Sequence, residues 1–310
     1  MNQKKNKPTD NPSSGDGGGI IFLNKSTDIT SFQALGRIKK VLNTGKVGHT
    51  GTLDKFAEGL LILLTGKFTR MNSVITDLDK EYEALICFGR ETDTLDPEGE
   101  TVAEADPPSL EEIQSVLDQF RGTIQQVPPR FSAIHIDGKR AHELARSGKE
   151  VDMPTREVTI HKLEILEYEK PCLRLQVHCS KGTYIRSLAR DLGRASGSRA
   201  YVKALKRTAV GPFDLSEAVR AEDFKGCGDF VSWESFFLKL DNTCVLELND
   251  RGIDKMRNGV TFRREFLSNP GSLDTAGRCT RLLLKNNEGH LKAVLEPSGG
   301  GYKYKINLCV

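Results

Sequence analysis

No apolar run in this 310-residue chain approaches the roughly 20 residues that cross a bilayer, and its mean hydropathy is −0.41. Residues 1–19 are mostly polar residues, proline and glycine without an apolar stretch, so no signal peptide is expected there and the segment reads as a disordered tail. The seven cysteines (Cys87, Cys172, Cys179, Cys227, Cys244, Cys279, Cys309) are odd in number, scattered and never spaced C-x-x-C. That argues against a disulfide framework and a zinc site, and predicts a reduced, cytoplasmic protein. The six histidines form no H-E-x-x-H or Cys/His ligand pattern. Asp93, Asp96, Glu98, Glu100 and Glu104 fail as a calcium loop. Counted from Asp93, Leu95 and Pro97 occupy ligand positions, and Glu98 stands where glycine is needed. There is no Walker loop, no G-x-G-x-x-G after a strand and no G-x-S-x-G, so neither ATP, NAD nor an elbow serine is supported.

What is present is a mixture of strands and helices without a βαβ repeat, which favours an α+β sheet protein. Strands are expected at Ile20–Leu23, Leu60–Leu64, Lys80–Phe88, Val158–Leu166 and Leu173–Cys179. A basic helix is expected with Phe32, Leu35, Ile38 and Leu42 at helical spacing. A second opens on the capping box Ser109-Leu110-Glu111-Glu112 with Ile113, Val116, Leu117 and Phe120 as its apolar face. After an Asp137-Gly138 turn comes a short helix near Ala141 to Arg146. A further helix after Gly182-Thr183 carries the stripe Ile185, Leu188, Ala189, Leu192. Beyond about residue 240 the texture changes to short β-prone pieces. The expected organisation is a tail (1–19), a main domain (20–240) and a small β-rich domain (241–310).

Two features carry chemistry. Gly48-His49-Thr50-Gly51-Thr52-Leu53-Asp54 delivers one carboxylate on a loop just before a buried strand, where it can be held in one orientation. A turn residue or helix cap is the alternative. Between Lys181 and Arg207, eight basic residues (Lys181, Arg186, Arg190, Arg194, Arg199, Lys203, Lys206, Arg207) face the single acid Asp191. This fits either a polyanion-binding surface, nucleic acid above all, or a solvated helix face.

Four separated segments match one family together. They are Gly48 to Asp54 with Ala57, Gly59, Gly66 and Arg70; Lys80 and Tyr82 with Gly89 and Thr92-Asp93-Thr94-Leu95-Asp96; Gln126-Val127-Pro128-Pro129 with Phe131-Ser132-Ala133; and Ser180 to Leu188. The chain resembles the TruB family of tRNA pseudouridine synthases, collinearly from about Ile20 to Phe213, including Leu205-Lys206-Arg207-Thr208. The resemblance implies a pseudouridine synthase fold with a mixed, mainly antiparallel central sheet flanked by helices, and a small β-rich terminal domain with a possible RNA-binding role.

It further implies isomerisation of uridine to pseudouridine at position 55 in the tRNA T loop, by base flipping, without metal, redox cofactor or nucleotide. Asp54 matches the catalytic aspartate and Arg186 the cation beside it. Tyr82 and Tyr184 match base-contacting tyrosines, Leu205 an apolar pocket residue, and His49 the residue that fills the place of the extruded base. Arg70, Lys181 and Arg190 are the expected RNA-backbone contacts, with the tRNA T arm as partner, no membrane, no obligatory protein partner and a monomer as default. Three positions depart from the family pattern: Lys55 where proline is usual, Glu58 for a small or hydroxyl residue, and Arg70 for a frequent lysine.

Overall fold

The computed structural model describes residues 17–132, 135–136, 139–140, 153–240, 242–276 and 279–309. The first sixteen residues of the expected tail, Ala133, the Asp137-Gly138 turn and the expected helix near Ala141 to Arg146 lie outside the described residues. Gly17–Gly19 already belong to the fold, since Gly19 N donates to Thr65 Oγ1 at 2.8 Å and Lys67 N to Gly17 O at 3.2 Å.

In chain order the elements are β1 (Ile20–Lys25), α1 (Ser31–Val41), β2 (Val47–His49), β3 (Glu58–Thr65), α2 (Asn72–Thr76), β4 (Lys80–Phe88), β5 (Arg90–Thr92), β6 (Thr101–Glu104) and α3 (Leu110–Leu117). There follow β7 (Gly122–Gln126), β8 (His135–Ile136), β9 (Lys139–Arg140), β10 (Arg156–Glu169), β11 (Cys172–Cys179), α4 (Ile185–Ala195), β12 (Ala200–Val210), β13 (Phe213–Asp214) and β14 (Val219–Arg220). The last part holds α5 (Trp233–Leu238), β15 (Thr243–Glu247), α6 (Asp250–Arg257), α7 (Ser272–Thr275), β16 (Arg281–Lys285), β17 (Leu291–Ser298) and β18 (Gly301–Asn307).

The main sheet runs β14-β1-β3-β12-β4-β11-β10-β7, with β2 on β3 and β13 on β12. Its pairs are antiparallel apart from β1 with β14 and β3 with β12, so the expected mixed, mainly antiparallel sheet is present. β3 is apolar on both faces because both are covered. Leu61 and Leu63 join a core with Ala84, Ile86, Val177 and Leu188, while Leu60, Ile62 and Leu64 join another with Phe213, Phe236, Leu283 and Val294. The β15-β16-β17-β18 sheet therefore shares a core with the main sheet, besides its own cluster around Leu246, Met256 and Leu284.

α1 starts where expected, at a capping box in which Thr30 and Gln33 satisfy each other's backbone amides. Losing that cap would cost about 1 kcal/mol. Its buried face is Ala34, Leu35 and Ile38, whereas Phe32, expected on that face, is 72% exposed with Lys39 Nζ over its ring.

The cysteine reading needs correction. Cys87 and Cys172 are register partners across β4 and β11 and form a disulfide, and Cys244 and Cys279 form a second across β15 and the segment before β16. Sequence separations of 85 and 35 residues hide both pairings, the first created by sheet register and the second by the approach to β16, where Cys244 is in register with Leu282. Among the described residues no helix is long and apolar enough to cross a membrane.

Candidate active site

The loop from Thr50 to Ala57 is pinned on several sides, which fixes Asp54. Thr50 N donates to Ile62 O at 2.9 Å, tying the loop's start to β3. Buried Ser31 Oγ accepts from Leu53 N at 2.9 Å and donates to Leu53 O at 2.8 Å, so the first residue of α1 holds the residue before Asp54. Gly51 has φ of +83°, a left-handed conformation that glycine adopts without strain. Lys25, buried at the end of β1, donates to Ser26 O at 2.9 Å, Ile29 O at 2.6 Å and Lys55 O at 3.4 Å. Burial pulls its pKa from 10.5 to about 8, against the attraction of Asp54 and Asp28.

Arg186, in the first turn of α4, is the hub. Its Nη2 donates to Asp54 Oδ1 at 3.2 Å, and Nε lies 2.9 Å from Asp54 Oδ2 as an ion-pair contact out of line for a hydrogen bond. Nη1 donates to Thr94 O at 2.9 Å and Asp96 Oδ2 at 3.3 Å, and Nη2 also reaches Phe131 O at 3.0 Å. The Arg186 side chain is 5% exposed and that of Asp96 8%, whereas that of Asp54 is 36% exposed. One buried cation thus bridges a sealed carboxylate and one that opens outward. Asp96 is held further by Thr94 Oγ1 at 2.6 Å and Glu98 N at 3.0 Å, yet burial raises its pKa above the usual carboxylate value. Of the acidic run that failed as a calcium loop, Asp93 accepts from Glu100 N at 3.0 Å and Asp96 is taken up by Arg186, Thr94 and Glu98 N.

Around this pair lie the expected base contacts. Tyr82 on β4 is 9% exposed and stands in register with Arg207 on β12. Burial raises its hydroxyl pKa while the Arg207 charge opposes. Tyr184 caps α4 and is clasped by Gln126, which accepts from its N at 2.8 Å and donates to its O at 3.1 Å. Its hydroxyl pKa is also raised by burial, and both tyrosines lie within the field of Asp54. Leu205 is buried in the same core as Tyr82. His49 is half-buried on β2, its pKa lowered by burial and by Arg207, and its buried Nδ1 has no hydrogen-bond partner among the described residues.

Residues 39–185 match the family model described as TruB family pseudouridylate synthase, N-terminal domain, and residues 186–232 match that of the tRNA pseudouridylate synthase B C-terminal domain. The tRNA pseudouridine synthase B of Borreliella burgdorferi strain ZS7 is 43% identical over 292 residues, 93% of this chain and 98% of its own length. The chain belongs to the TruB family of pseudouridylate synthases. The tRNA pseudouridine synthase B of Treponema denticola is 49% identical over 219 residues, 64% of this chain and 61% of that protein. Among solved structures, a Cbf5-Nop10-Gar1 complex matches with TM-score 0.64 and 22% identity over 96% of this chain and 85% of that one, a likeness of fold.

Within this TruB-family chain the expected RNA-backbone residues fare unevenly. Lys181 is 60% exposed and ion-pairs with Asp77 at 2.8 Å. Arg70 donates from Nη1 to Asn307 O at 2.7 Å, linking the turn after β3 to β18. The Arg190 side chain is only 12% exposed, with bonds to Asp191 Oδ1 at 2.8 Å and Val127 O at 2.9 Å. Arg194 forks onto buried Glu91 at 2.6 and 3.0 Å. Arg190 and Arg194 thus both help fasten α4 to its surroundings, Arg190 nearly buried and Arg194 with its side chain still 54% exposed.

Sequence reasoning missed Ser31 and Lys25, for which no local signal exists, and left Asp96 and Arg207 without a role although both stood in the matched motifs. Lys55, one of the departures, pairs with Glu98 at 2.6 Å and so ties the Asp54 loop to the Asp96 loop.

Proposed function

We propose that this synthase converts uridine to pseudouridine in the T loop of tRNA, with Asp54 as the catalytic group. The observation that carries the reading is the Asp54–Arg186 pair: a fixed, outward-opening carboxylate on a buried guanidinium that is itself held by Asp96 and two carbonyls. The isomerisation detaches a base from ribose and reattaches it through carbon. It needs one ionised carboxylate to attack the sugar, add to the base or take a sugar proton, in a site closed to water. With RNA seated over it, Asp54 loses solvent, and Arg186 offsets the cost of keeping it charged.

A loop uridine must leave its stack to reach Asp54. Tyr82, Tyr184 and Leu205 supply the surfaces that hold it, and His49 takes the vacated place in the loop. Lys181 and Arg70 meet the backbone beside the cleft. Residues 20–240 form the catalytic domain and 241–310 a smaller β-rich domain, the two joined by a shared core.

Position-resolved pseudouridine mapping on unmodified tRNA transcripts tests this. Conversion confined to the T-loop uridine, and retained on an isolated T-arm hairpin, is expected. Conversion elsewhere, or none without a guide RNA, would overturn it.

A further inference from the structure

Asp79, His161 and His178 converge outside the catalytic cleft, and the proposed chemistry uses none of them. Their meeting follows from sheet geometry. On β11, Leu173, Leu175, Val177 and Cys179 are buried, so alternation turns His178 to the opposite face. On β10 the pairing steps from Ile160 with Cys179 to Lys162 with His178, leaving His161 as the extra residue of a bulge. Ile160 and Leu163 are buried on either side, so both His161 and Lys162 emerge on the solvent face that His178 shares. Asp79 arrives in the residue before β4, whose Lys80 is in register with Cys179.

His161 Nε2 lies 3.3 Å and His178 Nε2 3.9 Å from the same oxygen, Asp79 Oδ2, and the two rings are 4.8 Å apart between centroids. The three donor atoms lie within 4.8 Å of one another. Tetrahedral coordination at metal–ligand distances of about 2.0–2.2 Å places donor atoms roughly 3.3 Å apart. The His161–Asp79 separation is already that, and closing the set needs shifts of about 1.5 Å at most, within the reach of partly exposed side chains. Lys162 is occupied with Glu164 at 2.9 Å and Lys181 with Asp77 at 2.8 Å, while Lys80, next to Asp79 and within its field, donates to the carbonyls of Thr76 and Leu78.

We infer that Asp79, His161 and His178 form a binding site for a divalent transition-metal cation of the zinc class. Two imidazoles and one carboxylate select Zn²⁺, Co²⁺, Ni²⁺ or Cu²⁺ over Mg²⁺ and Ca²⁺, which prefer oxygen ligands. Exposure leaves water in the remaining coordination positions. A bound cation braces β4, β11 and β10 together on the face opposite Tyr82. Without a metal the three are partly exposed polar groups whose solvent-screened contacts add little stability.

The test uses the full chain without an affinity tag, stripped with chelator and dialysed. Co²⁺ alone is titrated while visible absorption is followed, with Zn²⁺ then added in competition. One Co²⁺ per chain is expected, with ligand-field absorption well above that of the aqua ion and lost on adding Zn²⁺. D79N, H161Q and H178Q should each weaken binding about tenfold or more, with circular dichroism and thermal midpoint in chelator unchanged. Absorption no stronger than the aqua ion, or full binding in all three variants, would overturn the site. Isomerisation does not enter the readout, so failure here is separable from failure of the proposed reaction.

Discussion

Arg207 Nη2 donates to the carbonyl of Gly51 at 3.1 Å, three residues before Asp54 in the chain. The same guanidinium donates from Nε to Leu60 O at 2.7 Å, and the residue is 1% exposed. A central strand, β12, therefore ties the loop that presents the carboxylate to β3, the strand that follows it. Gly59, with φ of +107° and the Arg207 carbonyl only 2.3 Å from where a Cβ would sit, lets β3 and β12 approach closely enough for this.

Arg207→Met should therefore strand the Gly51 and Leu60 carbonyls and destabilise the fold by about 2–4 kcal/mol. Urea unfolding checks the first effect. Single-turnover kinetics on the surviving folded fraction should show a slowed chemical step, since the loop loses its anchor. A variant of unchanged stability would mean that water replaces the guanidinium.

The buried engagement of Arg190 gives a prediction opposite to the one its sequence pattern suggests. Arg190→Ala should leave the salt dependence of tRNA binding unchanged while lowering thermal stability, because the Arg190 side chain is only 12% exposed and is bonded to Asp191 and to Val127 O. Lys181→Ala should flatten the log–log slope by about one unit, the signature of one lost phosphate contact. Filter binding across a salt series separates the two classes.

Lys25 gives the stability a defined pH dependence. Its folded pKa of about 8 lies below its ordinary 10.5, so between those values the unfolded chain holds a proton that the folded chain has released. Its contribution to stability accordingly rises with pH through that window and is lost as pH falls through about 8. The stability difference between wild type and Lys25→Met, from urea unfolding at several pH values, should shift in favour of wild type from about pH 8 to 10.5. A constant difference would contradict the burial argument.

Much of the fold was legible because its signals are local. The run Leu60–Leu64 reads as a strand covered on both faces, and Ser109 with Glu112 marks a helix start that the structure places at Leu110. β12 was not legible as a strand, since Lys203, Lys206 and Arg207 interrupt its apolar pattern and Arg207 is charged yet buried. Asp54 and Arg186 were found through motif resemblance and stand together. Charge counted along the basic segment omits acids such as Glu91 that arrive from elsewhere and pair with Arg194. The same blindness to distant partners hid both disulfides and the Asp79, His161, His178 cluster.

The central claim is that Asp54 performs the chemistry while the surrounding scaffold binds RNA without it. The most direct measurement compares wild type and Asp54→Asn on the same unmodified tRNA transcript, recording pseudouridine at the T-loop uridine and binding affinity together. The account predicts a loss of conversion of about a thousandfold or more with affinity nearly unchanged. Residual conversion within tenfold of wild type would contradict it.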